Sequence, residues 1–226
     1  MKISIITLFP EMFRGPFDSS IIKRAIDNKL ISIEFINLRV FGLGKHQTVD
    51  DTPYGGGMGM VLRVDVLEKA ITAAKDKSLN KKQQKVVLLS AHGKKFEQAI
   101  ARRYSKLKNL ILVCGHYEGF DERVKEFIDE EISVGDFVLT GGEIPAMLIT
   151  DSTLRLVKGV IKEASAAFES FSPYLEHPQY TKPQDYKGLR VPEILLSGNH
   201  PEIEKWKKKQ SLKITAKLRP DLLKEN

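Results

Sequence analysis

Apolar and polar positions alternate along the chain in a way that predicts strands and helices in turn. The predicted strands are residues 2–7, 31–38, 86–89 and 110–114, which are short apolar runs. The predicted helices are residues 20–28, 65–74, 96–104, 121–127 and 144–157, in which apolar positions recur every three or four residues. Such alternation is typical of an α/β domain with a largely parallel sheet.

The pattern weakens after Gly159. Residues 163–186 hold Ser, Ala, Pro and aromatic residues without a clear period, which is typical of a linker or loop. A short helix is predicted at residues 192–198, and a strongly basic helix containing Trp206 at 200–215. We therefore expect a main domain at 1–160, a mobile linker at 161–175 and a small, mostly helical domain at 176–226.

Charge is unevenly distributed over the 226 residues, whose net charge is +7. Residues 75–108 contain eleven Lys and Arg against two acids, and residues 201–226 contain eight against four. Residues 116–143 reverse the sign, with nine acids against two bases. Clustered positive charge fits either a polyanionic partner or a solvated surface, and the acidic block fits either a cationic ligand or solvated helix faces.

Composition excludes several classes of protein. No apolar run approaches the ~20 residues of a membrane helix, and the first residues form a strand pattern instead of a signal peptide, so we expect a cytoplasmic protein. Cys114 is the single cysteine, which excludes an internal disulfide and a cysteine-rich metal site. The five histidines are scattered without metal-ligand spacing, and we assign no metal site.

Familiar nucleotide and hydrolase motifs are missing. The first strand is followed by Leu8-Phe9-Pro10-Glu11, without the glycines of a dinucleotide fingerprint. The run GGGMG at residues 55–59 has the wrong spacing and no strand before it. Neither a P-loop nor a G-x-S-x-G motif is present, which disfavours Rossmann enzymes, P-loop NTPases and serine hydrolases.

Glycines instead concentrate where strands are predicted to end. Gly93 and Gly115 follow two predicted strands, and Gly135, Gly141 and Gly142 surround the apolar run FVL of residues 137–139, which we interpret as a further strand edge. Glycine permits sharp turns and close approach of the backbone to a ligand. Three such turns would form one crevice at the carboxyl edge of a sheet, where α/β proteins bind small molecules.

Four motifs in order resemble the bacterial tRNA (guanine-N1)-methyltransferase family. They are YGGGMGM at 54–60, YEGFDER at 117–123, GDFVLTGGEIPAM at 135–147 and LLSGNH at 195–200. The resemblance extends over residues 2–223 and implies a SPOUT-type α/β domain with a deep trefoil knot. Periodicity alone could not have indicated a knot, since knots are very rare.

The resemblance also implies a set of site residues. The methyl donor, S-adenosylmethionine, would lie in the knot against Leu88, Leu89, Ser90, Gly115, Ser133, Val134, Gly135, Phe137, Leu139, Gly141, Gly142 and Pro145, with Tyr117 and Glu118 near its methionine part. On the tRNA side, the implied contacts are Asp50, Tyr54, Gly55, Gly56, Gly57, Lys207 and Lys208. The implied partners are the tRNA anticodon stem-loop and a second copy of the chain, which would share the active site.

The expected chemistry is methylation of N1 of guanosine 37, next to the anticodon. N1 must lose its proton, and negative charge then develops on O6, so the site needs a base and a cation. The resemblance implies that Arg155 stabilises the negative charge on O6. Most members have an aspartate as base before Ser-Phe, whereas this chain has Glu169, one methylene longer but of similar acid strength. Glu163 is a second candidate for the base.

Two other functions remain open at this point. One is a knotted RNA methyltransferase that modifies another base. The other is a tRNA-binding protein whose donor site has decayed, an interpretation that the intact glycine motifs disfavour and the change from Asp to Glu169 leaves open. A magnesium requirement is compatible with the family but cannot be read from these residues.

Overall fold

The computed structural model describes residues 1–162 and 169–223, which form two compact units, Met1–Ile161 and Lys162–Asn226. The first unit contains strands β1 (Lys2–Thr7), β2 (Ser32–Asn37), β3 (Asp50–Asp51), β4 (Val61–Leu62), β5 (Gln84–Lys95), β6 (Asn109–Val113) and β7 (Glu130–Ser133). Its helices are α1 (Ser20–Asp27), α2 (Val64–Ala74), α3 (Gln98–Tyr104) and α4 (Glu143–Leu154). Short 3-10 helices lie at Pro10–Phe13, Leu38–Phe41 and Glu122–Phe127.

Five strands form one parallel sheet in the order β2-β1-β6-β5-β7. Strand β1 lies beside β2, with Lys2 opposite Ser32, and beside β6, with Lys2 opposite Asn109. Because all strands run the same way, their carboxyl ends share one edge of the sheet. The α/β class with a central parallel sheet is therefore confirmed.

Both faces of the sheet are covered by helices. Alternate residues of the central strands point to opposite faces, so Ile3 and Leu110 join one core cluster while Ile6 and Ile111 join the other. Helices α1, α3 and α4 contribute buried residues to the first cluster, and α2 contributes to the second. The near-continuous apolar character of β1, β5 and β6 follows from this burial on two faces.

Two strand assignments from the sequence need correction. The strand predicted at 86–89 extends over Gln84–Lys95, with a shift in register between Leu89 and Lys94 against β7. The apolar run at 137–139 is not a strand edge. Strand β7 ends at Ser133, and the run lies in the following loop, where Phe137 and Val138 are 58% and 92% exposed.

The second unit is built around α5 (His200–Leu218). A hairpin of β8 (Asp185–Tyr186) and β9 (Leu189–Arg190) and 3-10 helices at Glu193–Leu196 and Pro220–Leu223 accompany it. Asn199 caps α5, since its side chain accepts a hydrogen bond from the Glu202 amide. The Leu175 backbone is hydrogen-bonded to α5: its amide donates to the Thr215 hydroxyl, and its carbonyl accepts from the Ser211 hydroxyl.

No helix in the described part of the chain combines the length and apolar character required to cross a membrane.

Candidate active site

A cavity of about 300 Å³ lies at the carboxyl ends of β5, β6 and β7, which are adjacent in the sheet. It is lined by residues 88–92, 115–122 and 137–142 with Val124, Lys125, Glu131, Ile132, Val134 and Pro145. The residues predicted for a small-molecule site all line it, except Ser133 and Gly135. Its volume lies at the lower end of the range typical of small-molecule sites.

Close packing of backbone against backbone forms one wall. The Gly142 amide donates to the Gly115 carbonyl at 2.8 Å. A Cβ atom on Gly142 would lie 2.6 Å from the Cys114 Cα atom, a distance that side chains do not tolerate. Only glycine therefore allows the turn before α4 to lie against the end of β6.

Ser133 and Gly135 are not among the residues that line the cavity. The Ser133 hydroxyl donates to the Gly135 carbonyl at 3.0 Å, which closes a tight turn directly after β7. A Cβ atom on Gly135 would lie 2.3 Å from the Phe137 ring. Both residues thus shape the loop that carries Phe137 into the cavity lining.

The segment after β6 contributes aromatic rings and an unusual backbone conformation. The His116 ring makes edge contacts with Phe9, at a centroid distance of 5.0 Å, and with Tyr117, at 5.1 Å. Tyr117 has a φ of +58°, a conformation that is uncommon for a large side chain and concentrates at functional sites.

The glycine-rich loop at residues 53–60 is joined to this segment. The Glu118 amide donates to the Met60 carbonyl at 3.0 Å, and the Leu62 amide donates to the Gly119 carbonyl at 2.9 Å. A Cβ atom on Gly59 would lie 2.5 Å from the Glu118 side chain. The loop is therefore held at the rim of the cavity by direct backbone contacts.

Comparison with known proteins gives the family. Residues 1–225 match the family model described as tRNA (Guanine-1)-methyltransferase TrmD. The chain belongs to the tRNA (guanine-N1)-methyltransferase family. It is similar to the tRNA (guanine-N(1)-)-methyltransferases of Dictyoglomus turgidum, with 54% identity over 99% of this chain and 90% of the relative, and of Listeria innocua, with 50% identity over 99% and 92%. The corresponding protein of Carboxydothermus hydrogenoformans is 53% identical over 99% of this chain and 88% of its own length. The resemblance noted in the sequence is confirmed.

Charges around the methyltransferase cavity are partly paired. The Arg123 guanidinium, hydrogen-bonded to Asp121, lowers the pKa of that carboxyl. Lys125 pairs with Glu122 at 2.6 Å and with Glu131 at 3.5 Å. Cys114 is buried, and this burial, followed by the charge of Glu143, raises the pKa of its thiol.

The residues predicted for tRNA lie in different elements. Asp50 lies in β3 opposite Leu62 of β4 and is half-buried. Tyr54 is fully exposed at the tip of the glycine-rich loop. Gly55, Gly56 and Gly57 have φ values of +87°, +77° and +145°, so this tip depends on glycine for its conformation.

The two residues predicted for the chemistry lie in separate units. Arg155 follows α4 directly, and its amide donates to the Asp151 carbonyl at 3.1 Å, so the predicted helix ends three residues earlier than expected. Glu169 is half-buried in the second unit. The hydroxyl of the next residue, Ser170, accepts a hydrogen bond from the Glu176 amide at 3.0 Å. Glu163 lies outside the described residues.

The lysines of α5 differ in their surroundings. Lys207 pairs with Glu204 at 2.7 Å, and Lys205 pairs with Glu202 at 2.7 Å. Lys208 and Lys209 are exposed and form no ion pair within the described parts of the chain. No group of three or more His, Cys, Asp or Glu side chains in residues 1–162 and 169–223 could hold a metal ion.

The sequence does not predict His116, which lines the cavity, or the burial of Glu143 next to it. The scattered histidines have no metal-ligand spacing, but the position of His116 in the polar cluster between Gly115 and Tyr117 is a usable signal. Glu143 directly follows two glycines at a helix start, which reads as an ordinary helix-terminal carboxylate.

Proposed function

We propose that the protein transfers a methyl group from S-adenosylmethionine to N1 of guanosine 37 in tRNA, beside the anticodon. The observation that supports this proposal most strongly is the cavity at the carboxyl ends of β5, β6 and β7. Glycine turns and the loop at 53–60 bound this cavity. Its glycine walls bring backbone donors and acceptors close enough to read a nucleoside. Membership of a tRNA methyltransferase family supports this use of the cavity.

Charge complementarity supports the donor assignment. The donor supplies a methyl group bound to a positively charged sulfur. Glu118 lines the cavity and forms no ion pair within the described residues, so its carboxylate is available to a cation. Tyr117 and Glu118 therefore remain our assignment for the methionine part of the donor, and the glycine turns for its adenosine part.

We assign the chemical step to Glu169 and Arg155. Glu169 accepts the N1 proton of guanine, the N1 electron pair forms the bond to the methyl carbon, and the carbon–sulfur pair returns to sulfur. Arg155 stabilises the negative charge that develops on O6. N1 lies on the pairing edge of the base, so the guanosine must turn outward, where the loop at 53–60 and Asp50 receive it.

A deep trefoil knot is the topology that we propose for the donor site. Strand β5 lies between β6 and β7, so the chain leaving β7 must cross the end of β5 before the Gly142 amide can bond to Gly115. A knotted SPOUT-type domain accounts for this crossing and for the tight packing of Gly142 against Cys114.

We also propose a homodimer with a shared site, acting in the cytoplasm. Helix α4 buries Ala146, Ile149 and Leu154 in the core of its own unit. It also exposes Ile144 and Leu148, 51% and 45% exposed, one turn apart. An apolar stripe on an otherwise packed helix supports contact with a second copy. Residues 176–226 would then bind tRNA through α5.

Methylation of defined transcripts tests the function. The protein is incubated with labelled donor and with tRNA transcripts that carry G37 or A37. We expect label only in the G37 transcript and N1-methylguanosine as the product by mass spectrometry. Label at another base would indicate a different RNA methyltransferase, and tRNA binding without donor binding would indicate a decayed site.

A further inference from the structure

The carboxylates at the cavity fall into two groups. Asp121 pairs with Arg123, and Glu122 and Glu131 share Lys125. Glu118 and Glu143 pair with no cation in residues 1–162 and 169–223. Among the carboxylates in and next to the cavity, these two are therefore the ones that the described part of the chain does not neutralise.

Glu143 is the more unusual of the two because it is buried. Glu143 is 2% exposed, and the hydroxyl of the fully buried Thr7 donates a hydrogen bond to its Oε1 atom at 2.7 Å. An isolated buried carboxylate costs several kcal/mol. Its position at the first residue of α4 offsets part of this cost through the helix dipole. Neither contact supplies a full compensating charge.

The carboxylate lies directly behind the cavity wall. Its Oε2 atom is 2.4 Å from the point where a Cβ atom on Gly141 would be, and Gly141 lines the cavity. The His116 Nδ1 atom is 3.0 Å from the same point, is buried and has no hydrogen-bond partner among the described residues. Both side-chain atoms therefore lie on the side of Gly141 where a side chain would stand, and the glutamate lies next to two residues, Gly141 and His116, that line the cavity.

We propose that Glu143 is a specificity-determining residue that favours a cationic donor over its neutral product. The proposal rests on the proposed function, in which a sulfonium donor occupies the cavity. A buried negative charge attracts the sulfonium through a wall of low dielectric. After methyl transfer the sulfur is a neutral thioether, so the same charge no longer holds the ligand, and the product is released more readily than the donor.

The test compares three ligands by calorimetry on the full chain and on Glu143→Gln. The ligands are S-adenosylmethionine, its neutral product S-adenosylhomocysteine, and an analogue that carries a protonated amine in place of the sulfonium. The glutamine side chain of this variant still offers an oxygen that accepts the Thr7 hydrogen bond, but it carries no negative charge. We expect affinity for the two cationic ligands to fall about tenfold, as for a full charge acting across roughly 10 Å at an effective dielectric constant near 20. Affinity for the product should stay within twofold.

Matched variants separate charge from structure. Asp136→Asn makes the same change of net charge on the cavity loop, where the Asp136 side chain is 93% exposed, and should leave all three affinities unchanged. Thr7→Val removes the hydrogen bond to Glu143 and keeps the negative charge. Any loss of affinity in this variant should therefore be equal for the three ligands. Glu143→Asp keeps the charge and should keep the preference for cations.

Two results would overturn the proposal. One is an equal loss for all three ligands in Glu143→Gln, which would make Glu143 a structural support only. The other is loss of the cation preference in Glu143→Asp, which decides the matter even if the amide variant does not fold. Failure of the wild-type chain to bind any of the three ligands would instead contradict the proposed function.

Discussion

At the scale of single residues, the glycine wall of the cavity and the buried carboxylate next to it arise in different ways. Gly141 and Gly142 interrupt an apolar pattern that is visible in the sequence, and both line the cavity. Glu143 stands next to them in the sequence, yet its burial depends on Thr7, 136 residues away. A pattern read along the chain contains no information about such distant contacts.

Glu169 is the residue on which the proposed mechanism depends most. Glu169→Gln keeps the size and polarity of the side chain but cannot accept a proton, so the methylation rate should fall roughly 10²–10⁴-fold. Glu169→Asp should retain substantial activity, because aspartate keeps a carboxylate and is the residue that the family resemblance implies for this position. Single-turnover methylation at saturating donor and tRNA measures both variants, and calorimetry should show unchanged donor affinity.

The control for this experiment is Glu193→Gln, which changes an exposed glutamate in the same unit and should methylate at the parent rate. A Glu169→Gln enzyme that also methylates at the parent rate would remove Glu169 from the mechanism. The proton would then pass to Glu163 or to water.

At the scale of elements, the sequence pattern predicts the strands that are apolar throughout but does not predict β7, which begins with two charged residues. Strand β6 was expected at 110–114 and lies at Asn109–Val113. Strand β7 begins with Glu130 and Glu131, which resemble a solvated helix face in the sequence. In the structure Lys85 and Arg103 pair with Glu130, and Lys125 pairs with Glu131, so tertiary ion pairs allow a strand where local composition disfavours one.

Helix α5 should contribute to tRNA affinity through Lys208 and Lys209 more than through Lys207. Each phosphate contact adds roughly 0.9 to the slope of log affinity against log salt. Replacing Lys208 and Lys209 by Gln should therefore flatten the slope by up to about two units. Lys207→Gln should have a smaller effect, because Glu204 already pairs with Lys207.

Filter binding of tRNA between 50 and 200 mM salt, roughly the range over which such effects are large, measures these slopes. Lys69→Gln, at an exposed position of α2 in the first unit, is the matched control. If the double variant keeps the parent slope, α5 does not contact the phosphate backbone.

At the scale of the whole molecule, the proposal requires two chains for each active site. Arg155→Ala and Glu169→Gln should each be inactive alone. If the two residues act from different subunits, a heterodimer contains one intact site and one doubly defective site. Equal mixing with full subunit exchange should then restore roughly a quarter of wild-type activity, since half of the dimers are mixed.

Methylation assays on the mixture, with exchange verified by mass spectrometry of tagged chains, measure this recovery. Wild-type protein mixed with either variant calibrates the assay. Absence of recovery after verified exchange would mean that both residues act from the same chain, or that one of them lacks its assigned role.

The order of the sheet also governs how the chain acquires its structure. Strand β1 needs β6 as its second neighbour, and Lys2 pairs with Asn109 across more than one hundred intervening residues. During synthesis, β1 therefore keeps one edge unpaired until the segment of more than one hundred residues that leads to β6 has been made. Contacts of such long range slow folding and leave an apolar edge unprotected in the interval. The interval between the synthesis of β1 and the synthesis of β6 is thus a period in which the growing chain is exposed to aggregation.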